Sequence, residues 1–179
     1  MTASDPITDD LVRTFDEVFD RAVARLAGTT EEEYLWEPVD GCMTVRPSGD
    51  RFRADPVPPE DPVPAPFTTI AWRTWHIGAD CLRGYLRFFE GEPGGGDPLA
   101  WPGTPEAGVE AMAEDWSRFR ARLTGLGDER LMQPMGALGG PYGTETYLKL
   151  GLHALDEVAH HGAEIGVIRD LYLHRSATR

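Results

Sequence analysis

Apolar side chains recur with the spacing of amphipathic helices in four separate parts of the chain. In the first part, Leu11, Phe15 and Val18 begin a stripe that continues at steps of four residues. The predicted helices run from Thr8 to Gly28, from Thr68 or Thr69 to Phe89, from Thr104 to Gly125 or Gly127, and from Thr144 to about Leu173. For a chain of 179 residues, this pattern predicts an all-α fold, a four-helix bundle that forms one domain over residues 1–179.

The predicted connection between the first two helices is long and rich in proline. Between Glu37 and Phe67, eight of the chain's 15 prolines interrupt any periodicity. A connection of this length is either a surface excursion or an ordered cover over a site, and Trp36 and Met43 could attach it to the bundle. No alternating run bounded by a hairpin turn predicts a strand, although this loop has room for a short one.

Charge and composition narrow the class of partner. A net charge of −13 opposes binding to nucleic acid or to an anionic membrane surface, which leaves small molecules or proteins. No apolar stretch approaches the roughly 18 to 20 residues that span a bilayer, and the acidic beginning lacks signal-peptide features. A cytoplasmic location is therefore expected. Cys42 and Cys81 form no paired motif, so both are expected to be reduced thiols.

The fourth predicted helix carries the side chains best suited to metal binding. Its segment HALDEVAHHGAE offers several carboxylate and imidazole pairs four residues apart, the spacing that places two ligands on one helix face. At about 100° per residue, the polar positions that fall within the apolar stripe are Glu157 and His161. His153 and Glu164 lie on its flank. A carboxylate that faces a bundle core needs a cation, so Glu157 and His161 are predicted to bind a divalent metal.

A third ligand is expected from a neighbouring helix. His76 is the only histidine outside the fourth helix and its tail, and it follows directly after Trp75 on the second helix. Two imidazoles and one carboxylate would leave coordination positions open, as in catalytic sites. The alternative without a metal is a buried ion pair between Glu157 and either Arg73 or Arg83.

Two other side chains follow His76 closely in sequence. Asp80 would either orient the imidazole or pair with Arg83 or Arg87 on the helix surface, and the surface pair is favoured. Cys81 would be either a nucleophile or a structural thiol. The structural thiol is favoured because the sequence shows no basic environment around it.

Two blocks of the sequence resemble a known family. The segment TIAW at 69–72 with the Trp-His pair at 75–76, and HGAEI at 161–165 followed by RDLY at 169–172, are similar to helices two and four of the DinB-like (damage-inducible) four-helix bundle proteins. That family includes thiol-dependent transferases and mycothiol-dependent maleylpyruvate isomerase. The resemblance implies a metal on His76, Glu157 and His161, with zinc expected and nickel or iron as alternatives. It also implies a homodimer, and mycothiol or bacillithiol as a cosubstrate, of which mycothiol is favoured because the nearly exclusive use of arginine over lysine hints at a GC-rich genome. Glu157 departs from the family pattern, because many members have a histidine there.

Hypotheses from different functional classes remain open. The first is a metal-dependent enzyme, such as a thiol S-transferase or isomerase, that activates a small thiol or water toward an electrophilic small-molecule substrate. The second is a non-catalytic metal- or ligand-binding stress-response bundle, and a third is a metal-free interaction module. No catalytic residue is assigned, although His153 or Glu164 would serve as a general base if either reached the metal.

Overall fold

The computed structural model describes residues 5–60, 62–91 and 96–175. The beginning of the acidic N-terminal run and part of the Gly-rich segment after Phe89 lie outside the described residues. The described part is mainly helical, as predicted, and it also contains a small two-stranded sheet. Its helices and strands are α1 (Pro6–Leu26), α2 (Glu31–Tyr34), β1 (Val45–Ser48), β2 (Arg51–Ala54), α3 (Ile70–Trp75), a π-helix (His76–Arg83), α4 (Pro105–Leu131), α5 (Tyr147–His174) and 3-10 segments at Leu86–Phe88 and Gly136–Tyr142.

The long helices pack through the apolar stripes that the sequence shows. α1 lies against α4 and α5, and the π-helix lies against α4 and α5 on the opposite side of the core. In α5 the predicted stripe is buried through Tyr147, Leu150, Ala154 and Val158, and it continues to Ile168. The described part thus has more helical segments than the four predicted ones, but the long helices follow the predicted periodicity.

The second predicted helix changes geometry halfway along its length. It begins as predicted at Thr69, whose side-chain oxygen accepts a hydrogen bond from the backbone N–H of Trp72. After Trp75 the chain continues as a π-helix from His76 to Arg83, so the prediction of one regular α-helix to Phe89 was wrong. This wider helix changes which side chains share a face, because its hydrogen bonds run from residue i to i+5.

Hydrogen bonds connect the last turns of α4 to the N-terminus of α1. Gly127, a predicted end of the third helix, has φ +65° and interrupts the helix there, whereas Gly125 lies inside it. The carboxylate of the next residue, Asp128, accepts hydrogen bonds from the backbone N–H groups of Ile7 and Thr8. It therefore caps the N-terminus of α1, where unpaired N–H groups favour a negative charge.

The proline-rich connection contains a β-hairpin that the sequence did not predict. β1 and β2 pair antiparallel, with Val45 opposite Ala54. Hydrogen bonds connect this segment to α3 and its N-cap. The backbone N–H of Thr69 donates to the carbonyl oxygen of Met43, and the indole N–H of Trp72 donates to the carbonyl oxygen of Asp55. The proline-rich connection therefore contacts α3, the helix that leads directly into the π-helix with His76.

No helix in the described ranges is both long and apolar enough to cross a membrane.

Candidate metal centre

The three predicted ligands meet between the π-helix and α5. Nε2 of His76 lies 3.2 Å from Oε2 of Glu157, and Nε2 of His161 lies 3.1 Å from the same oxygen. Their side chains are between 13% and 21% exposed, so the cluster is mostly shielded from water and still reachable. The structure thus brings together residues that are 81 positions apart in the sequence.

A carboxylate holds the other ring nitrogen of each histidine. Nδ1 of His76 lies 2.9 Å from Oδ2 of Asp80, and Nδ1 of His161 lies 2.7 Å from Oε2 of Glu164. A carboxylate in this position fixes the ring orientation and raises the basicity of Nε2, as is usual for metal-binding histidines. The favoured pairing of Asp80 with a surface arginine was therefore wrong. Glu164, which lies on the flank of the apolar stripe, contacts the Nδ1 atom of the proposed ligand His161.

The arginines considered as partners of Glu157 form ion pairs with other carboxylates. Nε of Arg73 lies 2.7 Å from Oε2 of Glu164, and Arg83 donates two hydrogen bonds of 2.8 Å to the buried Asp115. Among the described residues, the side chains that make a hydrogen bond or ion pair within 4 Å to the Glu157 carboxylate are those of three histidines and one cysteine. A simple arginine–glutamate pair therefore does not explain why this carboxylate faces the core.

Cys81 is a member of the cluster that sequence periodicity missed. Its Sγ lies 3.6 Å from Nε2 of His76 and 3.7 Å from Oε2 of Glu157. Residues five apart on an α-helix point about 140° away from each other, at about 100° per residue. The π-helix removes most of this divergence, because its hydrogen bonds join residues five apart. Cys81 and His76 consequently face the same point.

The histidines and carboxylates of the cluster shift one another's pKa. Burial opposes a charge on His76, but Asp80, Cys81 and Glu157 outweigh it and raise the pKa of His76 to about 11. His161 shows the same balance, with burial outweighed by Glu157 and Glu164, so its pKa is also raised. The two histidines lower the pKa of Glu157. The neighbouring carboxylates thus favour the protonated form of each imidazole, and a cation that binds the same nitrogens has to compete with those protons.

The donor set fits a divalent ion of the zinc type. Imidazole nitrogen and carboxylate oxygen are both zinc ligands, and tetrahedral coordination at the usual bond lengths separates two such atoms by about 3.3 to 3.4 Å. The observed separations of 3.2 and 3.1 Å lie close to this value. His76, Glu157 and His161 therefore need little rearrangement to share one ion.

Aromatic rings enclose the His76 side of the cluster. The indole of Trp72 stacks on the imidazole of His76 at a centroid distance of 5.2 Å and an angle of 9°. On the other side, Tyr85 contacts both Cys81 and the ring of His153. Nε2 of His153 is 3.8 Å from Oε1 of Glu157, so this flanking histidine borders the centre.

Two surface cavities adjoin the cluster. One, of about 530 Å³, is lined by Tyr85 and His153 together with Arg87 and Lys149. The other, of about 590 Å³, is lined by residues of α5 and by Arg73 and the end of the proline-rich connection. The first cavity combines apolar surface with two cationic side chains and one carboxylate, that of Glu145, which suits a small polar molecule.

A second group of possible ligands lies further out on α5. Nε2 of His160 lies 3.4 Å from Oε1 of Glu164, and His161 completes this outer group while its Nε2 also lies 3.1 Å from Oε2 of Glu157. The side chain of His160 is 62% exposed, and its group contains no residue from another helix. The inner cluster is the better candidate because it draws on two packed helices and is more buried.

The DinB superfamily model matches residues 14–165 of the chain. No curated protein and no solved structure gives a significant match. The matched range covers most of the sequence and includes His76, Glu157 and His161. This chain belongs to the DinB superfamily.

Proposed function

We propose that the protein is a divalent-metal-dependent enzyme in which His76, Glu157 and His161 hold the ion. The enzyme would use the ion to activate a low-molecular-weight thiol of the mycothiol type, or water, for transfer to a small electrophilic substrate. The observation that carries the proposal is the approach of two imidazole Nε2 atoms to one carboxylate oxygen, at 3.2 and 3.1 Å. Membership of the DinB superfamily supports it.

The protein side chains in this proposal position and shield the reacting groups. Asp80 and Glu164 hold the Nδ1 atoms of the two histidines, which keeps both Nε2 atoms directed at the ion. Trp72 covers one face of His76 and limits the access of water. A bound divalent ion would supply the one element that these side chains lack, a positive charge that lowers the pKa of a thiol or water toward neutrality.

The cavity beside Tyr85 is the proposed substrate site. His153 lies between this cavity and Glu157, at 3.8 Å from Oε1 of that carboxylate, and is the closest candidate for moving a proton. Arg87 and Lys149 would attract a carboxylate on the substrate or on the thiol. The cavity volume of about 530 Å³ is of the size that small-molecule sites have.

Metal content is the first test of this proposal. Tag-free protein reconstituted with zinc should bind one equivalent, and His161→Ala and Glu157→Ala should each weaken binding strongly because each removes one of the three proposed ligands. His76→Ala should do the same, whereas His160→Ala should retain the metal. If His160→Ala loses the ion and His76→Ala keeps it, the outer group is the site. Less than about a tenth of an equivalent in the wild type would refute any metal site.

Activity is tested separately on the metal-loaded protein. The protein would be incubated with mycothiol and a panel of small electrophiles, with metal-free protein and His76→Ala as controls. Conjugation or isomerisation that requires both metal and His76 supports an enzyme. Stoichiometric metal binding without any metal-dependent conversion would instead indicate a non-catalytic metal-binding bundle.

A further inference from the structure

We propose that Cys81 is a fourth protein ligand of this metal and binds it through its thiolate. The inference rests on the metal site of the proposed function and adds a donor of a different chemical kind. Its basis is the position of Sγ, which the π-helix brings to 3.6 Å from Nε2 of His76 and 3.7 Å from Oε2 of Glu157.

The distances from Sγ of Cys81 to His76 and to Glu157 match two edges of a coordination tetrahedron. With a zinc–sulfur bond of about 2.3 Å and zinc–nitrogen or zinc–oxygen bonds of about 2.0 to 2.2 Å, a sulfur ligand lies about 3.5 to 3.7 Å from its neighbours. Both observed separations fall in this range. The nitrogen–oxygen edges are shorter, at 3.2 and 3.1 Å, as the shorter bonds require.

The surroundings of Cys81 differ from those of a cysteine that merely fills a core. Cys81 is 3% exposed, yet its sulfur faces an imidazole nitrogen and a carboxylate oxygen. Cys42 is just as buried, but its thiol donates to the backbone carbonyl oxygen of Val39. Both are free cysteines, so neither sulfur is occupied by a disulfide. Cys42 therefore provides a matched control.

A thiolate in the donor set has consequences for the metal and for the reaction. Soft sulfur ligands favour zinc, cobalt or cadmium over magnesium or manganese. On binding, the thiol proton leaves to solvent and the sulfur–metal bond takes its place. With Cys81, the protein would offer four donors to the ion, and Cys81 would occupy in the resting protein the position that the proposed function gives to an external thiol.

Cobalt substitution tests the assignment directly. The full chain would be loaded with Co²⁺, and its absorption compared among wild type, Cys81→Ser and Cys42→Ser, with bound cobalt measured in each. We expect one equivalent of cobalt in all three proteins. A sulfur-to-cobalt charge-transfer band in the near ultraviolet should be present in wild type and Cys42→Ser and lost in Cys81→Ser.

The other outcomes separate the two proposals. One equivalent of cobalt without the band in wild type, or a band that persists in Cys81→Ser, would overturn the role of Cys81 and leave the metal site intact. A band lost in Cys42→Ser would overturn it as well. No bound cobalt or zinc in wild type would overturn the metal site and the inference together.

A second measurement avoids dependence on the folding of Cys81→Ser. Cys42→Ser retains Cys81 as its single cysteine, and its zinc-loaded form can be examined by X-ray absorption. A sulfur scatterer at about 2.3 Å, beside nitrogen and oxygen at about 2.0 to 2.2 Å, is expected. A first shell of nitrogen and oxygen alone would contradict the inference.

Discussion

Removal of the negative charge of Asp80 should weaken metal binding although this residue is not a proposed ligand. Asp80 lies 2.9 Å from Nδ1 of His76, so Asp80→Asn keeps the size of the side chain but removes the charge that raises the basicity of the imidazole. Loss of such a supporting carboxylate usually costs about 10- to 100-fold in affinity. Because its side chain is 44% exposed, screening by solvent places the expected loss near the lower end. We therefore expect about a tenfold higher Kd for zinc, or about 1.4 kcal/mol.

Competition with a chromophoric chelator at constant pH would measure this change. Asp156→Asn is the matched control, because it removes the same charge from an exposed position next to Glu157 in sequence. In the metal-free variant, the pKa of His76 should fall from about 11, which NMR titration can follow. Equal zinc affinities for Asp80→Asn and Asp156→Asn, together with an unchanged titration of His76, would refute the orienting role.

Three further predictions concern the stability of the fold. Arg169→Ala should lower the free energy of unfolding by about 3 to 5 kcal/mol in chemical denaturation, because it leaves the buried carboxylate of Glu33 without its partner at 3.0 Å. Gly108→Ala should cost at least about 1 to 3 kcal/mol by the same assay, since an added Cβ would overlap the buried hydroxyl of Tyr34. Asp128→Asn should destabilise the protein near neutral pH and lose its effect in acid. Burial alone would raise the pKa of Asp128, but hydrogen bonds from two backbone amides of α1 outweigh it and lower the pKa. The charged carboxylate therefore stabilises the folded protein above the unfolded pKa of about 3.9, and this stabilisation is lost as the pH falls through the lower folded pKa.

Each stability prediction has a control in the chain. Arg13→Ala removes an arginine whose ion pair with Asp10 is exposed, and should change stability by less than about 1 kcal/mol. Gly125→Ala adds a Cβ in the same helix as Gly108 where nothing lies within 4 Å, and should be neutral or stabilising. Equal effects of Arg169→Ala and Arg13→Ala, or of the two glycine variants, would contradict the packing argument. An effect of Asp128→Asn that persists at pH 2 would contradict the capping argument.

Periodicity in the sequence was sufficient to choose the proposed ligands on α5 but not to place Cys81 beside His76. α5 is a regular α-helix, so the expected rotation per residue correctly placed Glu157 and His161 beside the apolar stripe. The π-helix breaks that rule after Trp75, and Cys81 consequently turns toward the centre. The apolar periodicity of the local sequence does not mark this change in helix geometry, and the π-helix lies against α4 and α5.

The β-hairpin was missed for a different reason. Pro47 lies inside β1, and a proline within a short run argues against a strand unless that strand is at an edge. β1 pairs with β2 in this two-stranded sheet and has no second neighbouring strand among the described residues, so the proline lies in an edge strand and is tolerated. The signal that would have found the hairpin is the Gly49-Asp50 pair, a two-residue connection in which Gly49 has φ +65°.

The stack of Trp72 on His76 gives the protein a built-in optical indicator. The same indole donates its N–H to Asp55 in the proline-rich connection, so one fluorophore contacts both a proposed ligand and the segment beside it. Any change in the charge of that imidazole alters the electric field at the indole ring. The emission of Trp72 should therefore respond to occupancy of the centre, and Trp72→Phe would identify its share among the five tryptophans of the chain. Binding could then be followed in real time without an attached dye.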